Sequence, residues 1–434
     1  MDKNELLKKS NTFCILPWIH MHVWPNGNAM PCCIADSFDV FGNVNEESMK
    51  EIWNSEKYKK LRLAMLNNEK SDTCKKCYHF EENTSVWTLR NSHNMAYGDK
   101  YFHLVEQTQE DGSILEENMG MRYMDIRFSN ICNMKCRTCG PELSSQWATE
   151  YVDIYGKHEL ANVLKNNGTP VVNVAKNVQF WNDIEEYLPL VEEVYWAGGE
   201  PLITDEHYKI LDYWVENNQQ VKLRYNTNFS NLDYKKKSAI EYWKYFEDII
   251  VSASLDTHGK RAEYMRHGTN WNTIESNRMR MLEEVPNVKF ELTPTISLYN
   301  VWSWPDLHMD WVDRGLLGLE DCRLNILTYP LMMRYNIAPD YFKIQVRSKY
   351  IDYKEWLINN KASSSFLSKI QEIIQILNTG EVDTERIRHF LSLTQNLDRV
   401  REENFWDVFN ELGWLSDYTD NLHEFDKKFS PYDY

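Results

Sequence analysis

The chain has 434 residues, and its 48 Lys and Arg against 65 Asp and Glu leave a net charge of -17. That balance repels a phosphate backbone unless a local basic patch is hidden, so nucleic acid is a disfavoured partner. The length allows a large core in two domains, or in one domain with additions. Met1 to Glu5 is polar, and no apolar run approaches transmembrane length, so a soluble cytoplasmic protein with no membrane partner is expected.

Nine cysteines is an odd number, and eight lie in the first third of the chain. In a reducing cytosol such a concentration reads as metal binding rather than disulfides. Cys322 stands apart and is expected to be a buried small hydrophobe. The aromatic fraction of 13% reads as bulky core and groove packing.

In chain order, Pro25-Asn26-Gly27 is a tight-turn signal between two alternating apolar runs, which predicts a β-hairpin. A hairpin brings Cys14 near Cys32 and Cys33. Residues 47–67 have helical periodicity through Ile52, Trp53, Leu61, Met65 and Leu66. That helix delivers the chain to Cys74-Lys75-Lys76-Cys77, a two-thiolate clamp that completes four ligands with the hairpin cysteines. On chemistry alone, zinc and an iron–sulfur cluster fit this group equally. Cys33 is either an alternative ligand or a spare thiol. Residues 91–120 are polar and weakly patterned, and read as a connection.

Residues 121–128 alternate as a strand and run into Ser129-Asn130-Ile131-Cys132-Asn133-Met134-Lys135-Cys136-Arg137-Thr138-Cys139-Gly140. Its C-x3-C-x2-C spacing can hold three irons of a 4Fe–4S cube and leaves the fourth without a protein ligand. A cluster that only carries electrons normally has a full set of thiolates; an open position is how catalytic metal sites admit substrate. Strands are expected at 123–128, 193–197, 221–226, 249–255, 288–296 and 323–327. Helical patterns at 207–216, 234–246 and 271–283 lie between them, which implies an α/β fold with a parallel sheet. Strand ends should then carry the site. They hold Gly198-Gly199-Glu200-Pro201, Tyr225-Asn226-Thr227-Asn228 and Ser252-Ala253-Ser254-Leu255-Asp256. Glycines admit close backbone approach, and Glu200 can accept from a ligand ammonium. Asn228 can equally cap the next helix, and Arg266 can equally pair with Asp256 at the surface. The four histidines at positions 20, 22, 258 and 267 read as satisfied polar groups. Beyond Pro330, amphipathic helices at 350–359, 365–378, 384–394 and 404–412 carry no metal or phosphate signature.

The C-x3-C-x2-C loop after a first strand resembles the signature of the radical S-adenosylmethionine (SAM) enzymes. In that family the open iron chelates the amino and carboxylate groups of SAM. An electron then splits the sulfonium, giving methionine and a 5′-deoxyadenosyl radical that abstracts hydrogen from a substrate. The resemblance implies a partial (β/α)6 barrel over 121–330, with Cys132, Cys136 and Cys139 on the SAM-binding 4Fe–4S cluster. It places Gly198, Gly199 and Glu200 at the SAM amino group, Asn228 near its ribose, Ser254 at its ribose or carboxylate, and Arg266 at its carboxylate. Thr138 stands where the family usually has an aromatic residue, which weakens the packing expected for adenine but not the iron ligation.

Cys14, Gly27, Cys32 and the later C-x2-C are similar to the opening half of the SPASM motif, and Trp53-Asn54-Ser55 and Leu61-Arg62 resemble its helix. The further cysteines of a full SPASM domain are absent, so the resemblance is to a twitch-like module over 1–90, with a linker over 91–120. It implies one auxiliary 4Fe–4S cluster on Cys14, Cys32, Cys74 and Cys77. These modules usually follow the barrel; here the module precedes it, and a helical extension fills 331–434. An electron donor such as flavodoxin or ferredoxin is implied, with a peptide or protein substrate, or alternatively a sugar or nucleotide. The reading from a different class is a zinc-binding interaction protein that uses both cysteine groups structurally.

Overall fold

Pro25, Asn26 and Gly27 close the expected hairpin in the computed structural model, pairing His22–Val23 with Asn28–Met30 in antiparallel register. Gly27 sits at φ +89°, and a Cβ there would strike the Asn43 and Asn45 side chains. The structure describes residues 2–36, 39–83, 88–166 and 168–424; residues 425–434 of the expected helical extension lie outside them. Two units emerge. Unit 1 is Met1–Ile131, Val171–Tyr225 and Glu241–Ile249; unit 2 is Cys132–Pro170, Asn226–Ile240 and Ile250–Tyr434. The expected boundaries at 90 and 120 do not coincide with these units.

In unit 1 the reason is backbone pairing. The hairpin strand His22–Val23 lies parallel to Tyr123–Ile126, with His22 opposite Asp125 and Val23 opposite Ile126. Tyr123–Ile126 pairs in turn with Glu193–Trp196, and that strand with Lys222–Thr227, both parallel. On the other side Gly42–Asn43 extends the hairpin. The N-terminal segment and the strand leading to Cys132 thus share one sheet. Alternation sets its two faces. Trp196 packs against His207 and Trp214 of the helix Asp205–Glu216, whereas His20 and His22 meet the Tyr123 and Asp125 carbonyls at 2.9 Å.

The helix expected over 47–67 is two, Met49–Trp53 and Glu56–Leu66. Ser48 with Glu51 forms a capping box on the first, Ser55 caps the second, and Asn54 leaves to bond the Ile114 backbone. Arg62, fully buried, donates to the carbonyls of Pro17, Trp53 and Gly112. Residues 91–120 are not the irregular connection expected. The helices Leu89–His93 and Asp99–Glu106, joined by the π-helical turn Asn94–Gly98, bury Tyr97, Tyr101, Phe102, Leu104 and Val105.

In unit 2, Ile249–Ala253 pairs in parallel with Lys289–Leu292, and Thr295–Ile296 with Asn325–Ile326. The strand expected over 288–296 breaks before Pro294, whose missing N–H cannot join a ladder. Residues 234–246 are not one helix: Asp233–Tyr234 and Lys237–Ser238 form a hairpin, with Lys235 at φ 55°, and only Ala239–Trp243 is helical. After Pro330 come the helices Asp340–Asn359, Ser364–Ile376 and Thr384–Arg401, while 404–412 is 3-10 rather than α. The fold is mixed α/β, and the strand pairs that carry its site loops are parallel. No helix among the described residues is long and apolar enough to cross a membrane.

Two buried histidines fix an acid response. His308 in unit 2 is held near 4 by burial and bonds Tyr353 Oη at 2.8 Å; His20 in unit 1 is held near 3 by burial. Both stay neutral in the fold, while the unfolded chain takes up protons from about pH 6.5 downward. Stability is therefore full above that pH and falls as pH drops, by up to about 1.4 kcal/mol per pH unit for each histidine. Denaturant melts of His308→Gln should show a shallower slope between pH 6.5 and 4 than the native chain; an equal slope would remove His308 from the effect.

Candidate functional site

Four of the nine cysteines meet in unit 1. A small cavity is lined by Cys14, Cys32, Cys74 and Cys77, with Leu16, Ile34 and Leu89 on its apolar wall and Arg90 beside them. The hairpin returns Cys32 towards Cys14, and the turn Asp72–Cys74 leading into the helix Lys75–Asn83 presents the C-x2-C pair. Burial, with the Cys77 charge adding to it, pushes the Cys32 thiol up to about 11, and burial with the Cys32 and Cys77 charges pushes Cys74 up to about 12. Cys14 rises well above its usual value through burial, and then through Cys32, Cys74 and Cys77. Buried thiols that oppose one another's ionisation are what a bound cation relieves.

Cys33 stands elsewhere. Its thiol donates to Asp125, and burial and that carboxylate's charge raise it more than Cys32 does. Asp125 is itself fully buried; burial would raise its carboxyl, but Arg127 at 3.1 Å and His22 hold it far below the usual range. Of the two adjacent cysteines, Cys32 is the one in the cavity wall.

In unit 2, Cys136 lies on the short strand Lys135–Cys136, antiparallel to Arg266–His267. The Cys139 N–H donates to the Cys136 carbonyl at 3.0 Å, and the Met134 N–H points to the Cys132 sulfur at 3.5 Å. Gly268, at φ +103°, lets the Asn133 carbonyl come within 2.9 Å of where a Cβ would stand. Burial raises the Cys139 thiol well above its usual value, and Cys136 and Cys132 add to it, so the three sulfurs sense one another. Asn228 Nδ2 lies 3.9 Å from the Cys132 sulfur and donates to Asn133 Oδ1 at 2.9 Å. Its neighbour on the next strand end, Ser254, donates to Asn226 Oδ1 at 3.2 Å. Arg266 does pair with Asp256, at 2.7 Å, but in a buried site rather than at the surface. Its Nη1 also points at the Cys136 sulfur, at 3.7 Å.

The Gly-Gly-Glu loop belongs to unit 1. A Cβ on Gly199 would sit 2.0 Å from the Ile131 carbonyl oxygen, so only glycine permits this approach to the chain just before Cys132. The Gly199 and Glu200 N–H groups donate to Ser129 and Ile131 carbonyls at 3.2 and 2.8 Å. Glu200 is buried and accepts from the Leu202 N–H at 3.1 Å, capping the turn Pro201–Ile203.

Among the described residues, no group of three or more His, Cys, Asp or Glu is arranged to hold a single metal ion. Four sulfurs on one zinc would each stand about 2.3 Å from it. An all-thiol set fits iron–sulfur ligation: among the described residues, no carboxylate or imidazole lines the four-cysteine cavity, although four thiolates alone would also suit zinc. Arg90 carries no motif, and only the folded chain brings it to the cavity wall.

Residues 14–78 match the family model of the SPASM iron–sulfur cluster-binding domain. A search of curated proteins finds no match. Among solved structures, native anSMEcpe with bound AdoMet and the Cp18Cys peptide is 15% identical with a TM-score of 0.35, covering 56% of this chain and 61% of that one. SuiB of Streptococcus suis bound to S-adenosylmethionine is 14% identical with a TM-score of 0.33, covering 71% and 63%. TYW1 with a lysine-pyruvate adduct is 14% identical with a TM-score of 0.27, covering 56% and 72%. The chain thus spans about three fifths of the length of anSMEcpe. The stretch that carries Cys14, Cys32, Cys74 and Cys77 is thus similar to the SPASM iron–sulfur cluster-binding domain.

Proposed function

We propose that this chain is a radical SAM enzyme with two 4Fe–4S clusters, one auxiliary and one that binds SAM. The observation that carries the reading is the pair of separate thiol groups: four lining one cavity in unit 1, and three on one loop of unit 2. When bound at three thiolates, a 4Fe–4S cluster has an iron left for the methionine end of SAM and supplies the electron that splits its sulfonium. Cys132, Cys136 and Cys139 would hold it; Cys14, Cys32, Cys74 and Cys77 would hold the auxiliary one.

In unit 1, Gly198 and Gly199 would let backbone approach the methionine end, where Glu200 accepts its ammonium. In unit 2, the Asn228 amide and Ser254 hydroxyl would serve the ribose. Arg266 would orient the methionine carboxylate with whatever donors Asp256 and Cys136 leave it. The barrel over 121–330 would enclose the reaction and exclude water. The net charge of -17 supports a substrate other than nucleic acid, and we assign a peptide or protein side chain; a flavodoxin or ferredoxin would deliver the electron to the SAM-binding cluster.

Anaerobically reconstituted protein with dithionite and SAM is expected to be brown and to release 5′-deoxyadenosine. A colourless protein holding zinc, or a brown one that leaves SAM intact, would overturn the reading.

A further inference from the structure

Arg137 lies between two of the loop cysteines, yet its side chain is turned inward and only 1% exposed. The guanidinium carbon stands 3.7 Å from the centroid of the Tyr264 ring, and Nε donates to the Tyr264 carbonyl at 3.2 Å. The Arg137 backbone N–H donates to Met265 at 2.8 Å. Nη2 then reaches two carboxylates, Asp398 Oδ1 at 2.5 Å and Glu403 Oε2 at 2.6 Å. Both belong to the end of the helix Thr384–Arg401 and the turn that follows.

Each carboxylate is fixed in place by other bonds. Asp398 also accepts from Tyr264 Oη at 2.6 Å and from the Phe405 N–H at 2.7 Å. Glu403 Oε1 faces His267 Nδ1 at 2.7 Å, and His267 lies on the strand paired with Lys135–Cys136. Glu402, left-handed at φ 56°, turns the chain so that the Glu403 N–H returns to the Asp398 carbonyl at 3.0 Å. A second tie runs alongside. Buried Arg401 forks onto Glu150 at 3.1 and 2.8 Å, and Lys135 meets the same carboxylate at 2.5 Å. The helix end therefore grips the loop on both sides of Cys136.

Buried ion pairs add little net stability, because desolvation cancels much of their attraction. What so many directed bonds do supply is one geometry, even with one buried Nη1 each on Arg137 and Arg401 lacking a hydrogen-bond partner. We propose that the helix Thr384–Arg401 and its turn are a clamp that holds the three-cysteine loop in the shape that receives its cluster, with Arg137 as the positioning residue. The proposal rests on the reading of Cys132, Cys136 and Cys139 as ligands. It gives the C-terminal extension a function that its sequence does not reveal. Each of the two carboxylates also opposes addition of an electron to a cluster there, so neutralising either one favours it.

The test uses Asp398→Asn, Glu403→Gln and the milder Arg137→Lys in the full chain. In metal-free protein, hydrogen exchange at the amides of 134–139 should quicken by about ten- to a hundredfold, as expected for the loss of a charge-assisted hydrogen bond. Exchange in the helix Asp340–Asn359 is the internal reference; an equal rise there would make the effect global and overturn the clamp. After reconstitution, the midpoint potential of the loop cluster should move positive in both carboxylate variants, which a merely structural role would not produce. Unchanged exchange in all three variants overturns the clamp even if iron content is full. Faster exchange in a chain whose native form assembles no second cluster would sink the ligand assignment and leave the clamp standing.

Discussion

Replacing Cys132, Cys136 and Cys139 together with Ala should abolish 5′-deoxyadenosine formation and lower iron from about eight to about four per chain. The three thiols share one loop in unit 2, and no other cysteine of that unit lies near them in sequence. The SPASM-like stretch at residues 14–78 lies in unit 1, so the auxiliary cluster proposed there should survive intact. Iron and sulfide analysis with electron paramagnetic resonance reads both quantities in one sample. A triple variant that still makes 5′-deoxyadenosine would move the chemistry to another site. One that loses all its iron would show that the two groups assemble only together.

Adjacent cysteines give the second large contrast. Cys32→Ala should lose the auxiliary cluster, whereas Cys33→Ala should keep its full iron complement. The difference follows from where each thiol goes: Cys32 into the cavity with Cys14, Cys74 and Cys77, Cys33 onto Asp125. Both changes remove a buried sulfur of the same size, so packing loss is similar and the iron count isolates ligation. Performed in the Cys132/Cys136/Cys139 background, the measurement has only one cluster to report. Equal iron in the two variants would show that either cysteine can serve.

The two cysteine groups were legible because they are written in short spacings, C-x3-C-x2-C and C-x2-C, that no tertiary context alters. The hairpin was equally local, carried by Pro25-Asn26-Gly27. What escaped was set by distance. Arg137 reads as one more loop residue until Asp398 arrives from 261 positions away. Residues 91–120 read as a connection because Asn, Gly and Asp interrupt their pattern; 107–120 remain largely irregular, whereas tertiary packing of Tyr97, Tyr101 and Phe102 makes the part up to Glu106 helical. The three-lysine run after Tyr234 was read as part of a helix, but it makes a hairpin turn because Lys235 adopts a left-handed conformation. Gly199 was legible as a strand-end glycine; that its missing side chain also admits the chain's own Ile131 backbone was not.

The parallel ladder between His22–Val23 and Tyr123–Ile126 bears on how this protein is made and how it can be cut. During synthesis the hairpin emerges about a hundred residues before its partner and must wait with one edge open. Closing so long a loop costs entropy that only later contacts recover. Truncation at residue 90 would strip the partner from Tyr123–Ile126 and expose a bare strand edge, a template for aggregation. The iron–sulfur domain is thus no detachable cartridge. A shortened chain beginning at residue 91 should be recovered from inclusion bodies rather than as a folded catalytic core.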